Sequence, residues 1–190
     1  MKMTITHNFP DVARQLNALH KDVAAKATAS ALNKTVAQAK TAMSKEIRAE
    51  FNLPAGKVSQ ALRIRRASAR SGTLQLEAVL EAASKRGRSL NLANFSAHQT
   101  AKGVSFKVKR VGRRTTIPGS FLINQGRTVM IRVGKERLPI KALQTIDVAQ
   151  MFNTRRINGK VVRMIETRFP AIFTREAKFY TDRFNARATA

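Results

Sequence analysis

The stretch TTIPGSFLINQGRTVMIRV, residues 115–133, decides the fold class of this 190-residue chain. It reads as two strands, Thr115 to Ile123 and Thr128 to Val133, with Phe121 and Ile123 two positions apart. Period two is the spacing of strands with one face buried and the other wet. Pro118-Gly119 interrupts the first run, and proline, lacking an N–H for a ladder, marks an edge or a bulge. On this phase Phe121 and Ile123 point into the core.

The same period extends toward the amino end. Val104, Phe106 and Val108 alternate with Ser105, Lys107 and Lys109, and Gly112 reads as a hairpin turn with Arg113 and Arg114 at its tip. Leu74, Leu76, Ala78 and Leu80 alternate with Gln75, Glu77, Val79 and Glu81, and Leu62 and Ile64 with Arg63 and Arg65. Four or five strands of a small antiparallel sheet follow. Phe95, Phe106 and Phe121 are its core aromatics. Residues 83–103, with Gly87 and Gly103, form a polar connection too long for a tight turn, mobile or ordered by a partner.

Helices flank the strands. Residues 11–51 are rich in Ala, the best helix former. Val12, Leu16, Leu19, Val23, Ala27, Leu32, Val36, Ala39, Met43 and Ile47 recur at helical steps behind a cap at Asp11. Unbroken, this helix would be roughly 60 Å long at 1.5 Å per residue; a break near Ser30 or Asn33 is the alternative. Asn52 and Pro54 end it. Pro54 opens a short helix to about Leu62, with Lys57 and Gln60 outward. Thr154 or Asn158 caps a last helix in which Val161, Ile165, Phe169, Ile172, Phe173, Tyr180 and Phe184 share a face, and Pro170 should kink it. The fold class is α+β: a long N-terminal helix, a short second helix, a small twisted antiparallel sheet of four to five strands, and a kinked C-terminal helix. Residues 1–52 are expected to form an arm, 53–150 a basic β domain, and 151–190 a helix packing on the sheet.

Charge narrows the function. The chain has 36 Lys and Arg against 11 Asp and Glu, a net +25, and no Cys. No acid stands between Glu81 and Glu136, whereas twelve bases run from Lys85 to Lys135. Such a segment cannot neutralise itself, so a polyanion or an acidic protein is expected beside it. Lys85, Arg86, Arg88, Lys107, Lys109, Arg110, Arg113, Arg114, Arg132, Lys135 and Arg137 are the contact candidates. With no Trp and one Tyr, stacking platforms for bases are lacking, so contact with backbone phosphates, blind to sequence and sensitive to salt, is expected. Apolar runs fall far short of the ~18 residues that span a bilayer, and no secretory leader is expected.

Nothing in the pattern asks for catalysis. His7, His20 and His98 lie far apart without ligand spacing. Glu77 and Glu81, on one face of a strand, read as solvated carboxylates. Gly134-Lys135 lacks the earlier Gly and following Ser or Thr of a phosphate loop. Ser120 has no His and Asp signature beside it. No metal, cofactor or enzymatic activity is expected.

Three pieces in order carry a resemblance: Ile117-Pro118-Gly119-Ser120-Phe121-Leu122-Ile123, then Gly126 through Lys135, then Arg137-Leu138-Pro139-Ile140. With Ala31-Leu32-Asn33-Lys34-Thr35, Leu62 through Ala67, Ala97-His98-Gln99-Thr100 and Lys102-Gly103-Val104-Ser105, the chain resembles the minor tail protein Z family of long-tailed phages and prophages, the lambda-type tail completion proteins. Ile117, Pro118, Gly119, Phe121, Gly134, Leu138, Pro139 and Ile140 are its pattern residues. Gln144-Thr145-Ile146-Asp147-Val148 departs from the family, many of whose members carry Gly-Pro-Ser and a further proline there.

The resemblance implies a structural virion protein, assembled in the host cytoplasm and acting in tail completion at the head-proximal end of the tail, the head–tail joint. Tail geometry then favours a homo-oligomeric ring, with a hexamer as the expected closure, that helps position or retain the DNA end. The implied partners are the tail terminator and tail tube, head-neck connector proteins and phage DNA in the lumen, with no membrane. A free, sequence-independent nucleic-acid-binding protein is the alternative that charge alone leaves open.

Overall fold

The computed structural model describes residues 2–5, 21–70, 73–82 and 89–188. His7, Asp11, Val12, Leu16, Leu19 and His20 lie outside these residues, as do Lys85, Arg86, Gly87 and Arg88. The amino half runs β1 (Lys2–Ile5), α1 (Lys21–Glu50), α2 (Ala55–Ala61), β2 (Leu62–Arg65), β3 (Ser68–Arg70), β4 (Thr73–Gln75) and β5 (Ala78–Ala82). Next come β6 (Leu90–Asn91), a 3-10 turn at Leu92–Asn94, β7 (His98–Thr100), β8 (Gly103–Phe106) and β9 (Thr115–Pro118). The chain continues through β10 (Ser120–Ile123), β11 (Thr128–Arg132), β12 (Ile140–Ala142), β13 (Gln144–Thr145), α3 (Val148–Phe152) and α4 (Arg155–Ala188). The α+β class holds, but the strands are distributed over five small antiparallel sheets among the described residues rather than one sheet of four to five strands.

These elements divide into two compact units. Unit 1 holds Met1–Met43, Leu62–Ala82 and Arg155–Ala190, and unit 2 holds Ser44–Ala61 and Ala83–Thr154.

Unit 1 is built on α1. Val23, Ala27, Leu32, Val36, Ala39 and Met43 are buried along it, as the sequence stripe predicts. Buried Thr28 and Thr35 return their hydroxyls to the carbonyls of Ala24 (2.7 Å) and Ala31 (2.8 Å), so neither is left unpaired. The helix does not break at Ser30 or Asn33. Both side chains bond away from their own backbone, Ser30 to Glu176 (2.8 Å) and Asn33 to the N–H and carbonyl of Ala67 (2.9 Å each). Their tendency to compete with the helix is thereby satisfied elsewhere. The stripe of α4, from Ile157 through Val161, Ile165, Phe169, Ile172 and Phe173, is buried as well. Thr154 immediately precedes α4, Asn158 lies within it, and the helix continues through Pro170.

In the sheet of unit 1, β5 lies between β1 and β2. The alternation expected from Leu74 to Glu81 is corrected twice here. The run is two strands, β4 and β5, with Glu77 between them. In β5, Val79 is buried together with Ala78, Leu80 and Ala82. A central strand covered on both faces loses the inside-outside rhythm.

Unit 2 packs the sheets β7–β8–β9 and β10–β11–β12 and the pair β6–β13 around Leu92, Val104, Phe106 and Val129. Each such side chain contributes about 1.5–3 kcal/mol when fully buried. The Pro118-Gly119 interruption is where the chain leaves one sheet for the next: β9 is an edge strand, and Gly119 has φ 70°. That change reverses the expected phase. Leu122 packs on the core cluster, while Phe121 lies half-buried beneath the Arg132 guanidinium, 5.1 Å from the ring centroid. Buried Ser120 fixes the junction by accepting from Val104 N–H (2.9 Å) and donating to the Ile117 carbonyl (2.6 Å).

Residues 89–100 are ordered by the chain itself, correcting the expectation of a polar connection that is mobile or awaits a partner. Asn91 acts as a stand-in peptide: its carbonyl accepts from the N–H groups of Val129 (2.8 Å) and Ala93 (3.0 Å), and its amide donates to the Val129 carbonyl (3.2 Å). Leu92 and Phe95 are buried beside it. The segment Gln144–Val148 supplies β13 and then a capping box: Asp147 accepts from Gln150 N–H (2.7 Å), and the Gln150 side chain accepts from Asp147 N–H (3.0 Å).

Candidate nucleic-acid interface

Unit 2 has three Lys and Arg in Ser44–Ala61 and fourteen in Ala83–Thr154, against four acids, Glu46, Glu50, Glu136 and Asp147. The fold displays these bases in two places. Lys107, Lys109, Arg110, Arg113 and Arg114 sit on the loop that joins β8 to β9, beyond the Phe106–Thr115 pair. Arg132, Lys135 and Arg137 belong to the segment from β11 to β12, beyond the Ser120–Ile131 pair. Ser120 is tied to Val104, next to Gly103 at the other end of β8. The two basic loops therefore leave unit 2 by opposite ends of the β8–β9 ladder.

The first loop is not a free tip. Asn52 N–H donates to the Val108 carbonyl (2.8 Å) and Arg110 N–H to the Glu50 carbonyl (2.9 Å), with Phe51 and Lys109 forming a bridge. Arg110 Nε donates to the Arg48 carbonyl (2.7 Å), one of the last of α1, where unpaired carbonyls favour a cation. Arg114 is exposed but held across the neighbouring strands. Its guanidinium donates to the carbonyls of Ser96 and Ser105 and the Ser105 hydroxyl (3.2 Å for each Ser105 contact), and it lies 2.8 Å from His98 Nδ1. Lys109, Arg110 and Arg113 are exposed, and Lys107 is half-buried.

The second loop is closed by Val133 N–H donating to the Pro139 carbonyl (3.0 Å). The Leu138–Pro139 peptide is cis. Gly134, Lys135, Arg137 and Leu138 are exposed, while Ile140 pairs with Arg132 in the ladder. Among the pattern residues, Ile117 packs against the core cluster, and Pro118 and Gly119 make the crossing between sheets.

The fold also gathers Arg110 with three bases that were not among the contact candidates. A cleft of about 690 Å³ in unit 2 is lined by Arg48, Lys57, Arg110 and Arg127, with Asn52 and Ser96 in its wall and no carboxylate. Asn52 and Ser96 are joined side chain to side chain (2.9 Å). Arg127 ends the β10–β11 turn, in which Asn124, Gln125 and Gly126 all have positive φ (52°, 55° and 81°) and Arg127 N–H donates to the Asn124 carbonyl (3.2 Å). Asn124-Gln125-Gly126 was the available signal for this turn. Lys57 was expected to face outward and does. Their convergence with Arg110 is tertiary.

The remaining polar candidates have structural occupations. Glu81 pairs with Arg65 (2.9 Å), so it is not a merely solvated carboxylate, and Ser120 is held in the sheet junction. Among the described residues no group of three or more His, Asp and Glu stands where it could hold a metal ion, and no helix is long and apolar enough to cross a membrane.

Compared with known proteins, the chain matches the family model described as prophage minor tail protein Z (GPZ) over residues 10–187. No curated protein and no solved structure matches it.

Proposed function

The chain belongs to the prophage minor tail protein Z family, which makes it a structural phage tail protein and a virion component, and from that premise we propose that it completes the tail at its head-proximal end. It does so as one subunit of a closed homo-oligomeric ring, since a cylindrical tail favours cyclic closure. Edge strands such as β9, β10 and β12 supply backbone for contacts between copies. The ring meets the tail terminator and tail tube on one side and head-neck connector proteins on the other. Its bases hold or position the DNA end, or seat against acidic neighbours.

The observation that carries this reading is the joining of family membership to a basic surface that the fold keeps in the open. From Lys102 to Lys141 every Lys and Arg except Lys107 is exposed. Phosphate contact by such a surface holds a polyanion without reading its sequence and lets it slide.

Quantitative mass spectrometry of density-purified particles tests it. A ring gives about six copies per particle beside a far more abundant tube protein. Absence from finished particles refutes it and leaves the free nucleic-acid-binding alternative.

A further inference from the structure

We infer that the cleft lined by Arg48, Lys57, Arg110 and Arg127 is a groove for the phosphodiester backbone of nucleic acid. The four cations come from α1, α2, the β8–β9 loop and the β10–β11 turn. Converging like charges repel unless an anion sits among them, and no carboxylate lines the cleft to play that part. Three of the four are arginines, whose planar forks match phosphate oxygens.

Two of them are set in place before any ligand arrives. Arg110 is held through its main chain and its Nε, which leaves its terminal nitrogens as the free donors of the fork. Arg127 is anchored through its main chain by the turn that it closes. Such preorganisation lowers the ordering cost of binding.

The wall chemistry selects the backbone over other anions. No aromatic residue lines the cleft, so bases gain no stacking platform. Large apolar or aromatic pockets, the usual anchors of protein interfaces, are missing as well, since the apolar wall is Leu53, Pro54, Ala55 and Ala93. What remains is a concave cationic surface suited to a dense line of phosphates. The inference deepens the tail reading and rests on it in taking that nucleic acid to be the phage's own DNA.

The test uses the purified full-length protein and a fluorescein-labelled 20-base-pair duplex, with affinity read by anisotropy over a range of NaCl concentrations. The Lys57→Gln/Arg127→Gln variant is set beside the charge-matched Arg163→Gln/Lys178→Gln variant on α4, and circular dichroism verifies that both fold. The groove variant should lose about tenfold in affinity at fixed salt, and its log–log salt slope should flatten by about two, one per lost phosphate contact. The α4 variant should keep the wild-type slope.

Equal slopes for wild type and the groove variant overturn the inference. So does an equal loss in the α4 variant, which assigns binding to net charge. Displacement of the duplex by poly-glutamate at equal charge overturns it too, in favour of an acidic protein. Particle mass spectrometry separates the two readings: wild-type chain present in particles with an unchanged groove variant in vitro fails the groove alone, whereas chain absent from particles with a flattened slope fails the tail reading alone.

Discussion

Glu176 is a buried carboxylate of unit 1, only 4% exposed on α4. Burial alone pushes its carboxyl up. Hydrogen bonds from Lys34 Nζ (2.6 Å) and Ser30 (2.8 Å), with the charges of Lys34 and Arg175, outweigh burial and hold it below the usual carboxylate range. A group depressed in the folded state stabilises fully above its unfolded value, near 4.3 for Glu. That contribution is lost as the pH falls through the folded value. Glu176→Gln should therefore cost about 1.5–3 kcal/mol at pH 7, the range for hydrogen bonds to charged groups, toward the low end because Lys34 is half-exposed. Urea unfolding measures it, and the gap from wild type should close as the pH drops below about 4. Glu176 was not legible as a core group, because its partners lie more than 140 positions away on α1. The same holds in the cleft: Arg48 and Lys57 each read alone as an ordinary surface base. Arg110 and Arg127 both stood in the acid-free run, but only Arg110 was among the contact candidates.

Among the elements, those with a strong period were readable and those set by a neighbour were not. The α1 stripe and the α4 face follow from spacing alone, whereas Ser105 of β8, expected on the wet side, is buried with Val104 and Phe106. Phe121 and Leu122 exchanged places because a left-handed glycine between β9 and β10 resets the phase, and periodicity is blind to a change of sheet. Val79 was read as solvent-facing because a central strand shows no polar face to count. The β8–β9 ladder also depends on one residue without a side chain. A Cβ on Gly103, whose φ is 147°, would fall 2.1 Å from the Ile117 carbonyl oxygen, a backbone atom with little room to yield. Gly103→Ala should destabilise unit 2 by about 2 kcal/mol or more. A lower urea midpoint measures this, and an unchanged midpoint would show that the strand pair shifts freely.

For the whole molecule, the net charge of +25 is the largest property visible from composition, and it sets a prediction of its own. Self-repulsion opposes the folded state, and salt screens it: the Debye length falls from about 10 Å at 0.1 M to about 3 Å at 1 M. The thermal midpoint of the free protein should rise by a few degrees between 0.1 and 1 M NaCl. A midpoint that falls would mean that specific ion pairs such as Arg65–Glu81 outweigh the excess charge. Composition revealed the excess, and the family pattern its setting, but neither could show that the chain passes between two units. Unit 2 takes all its strands and helices from residues before Arg155, whereas unit 1 must wait for α4. During synthesis the ribosome therefore delivers a complete unit 2 while the opening segments of unit 1 still lack their last helix. The face of α1 that meets α4 through Ser30, Lys34 and Gln38 then stays open until α4 emerges, which is the interval when a nascent chain is most exposed to aggregation and most in need of a chaperone.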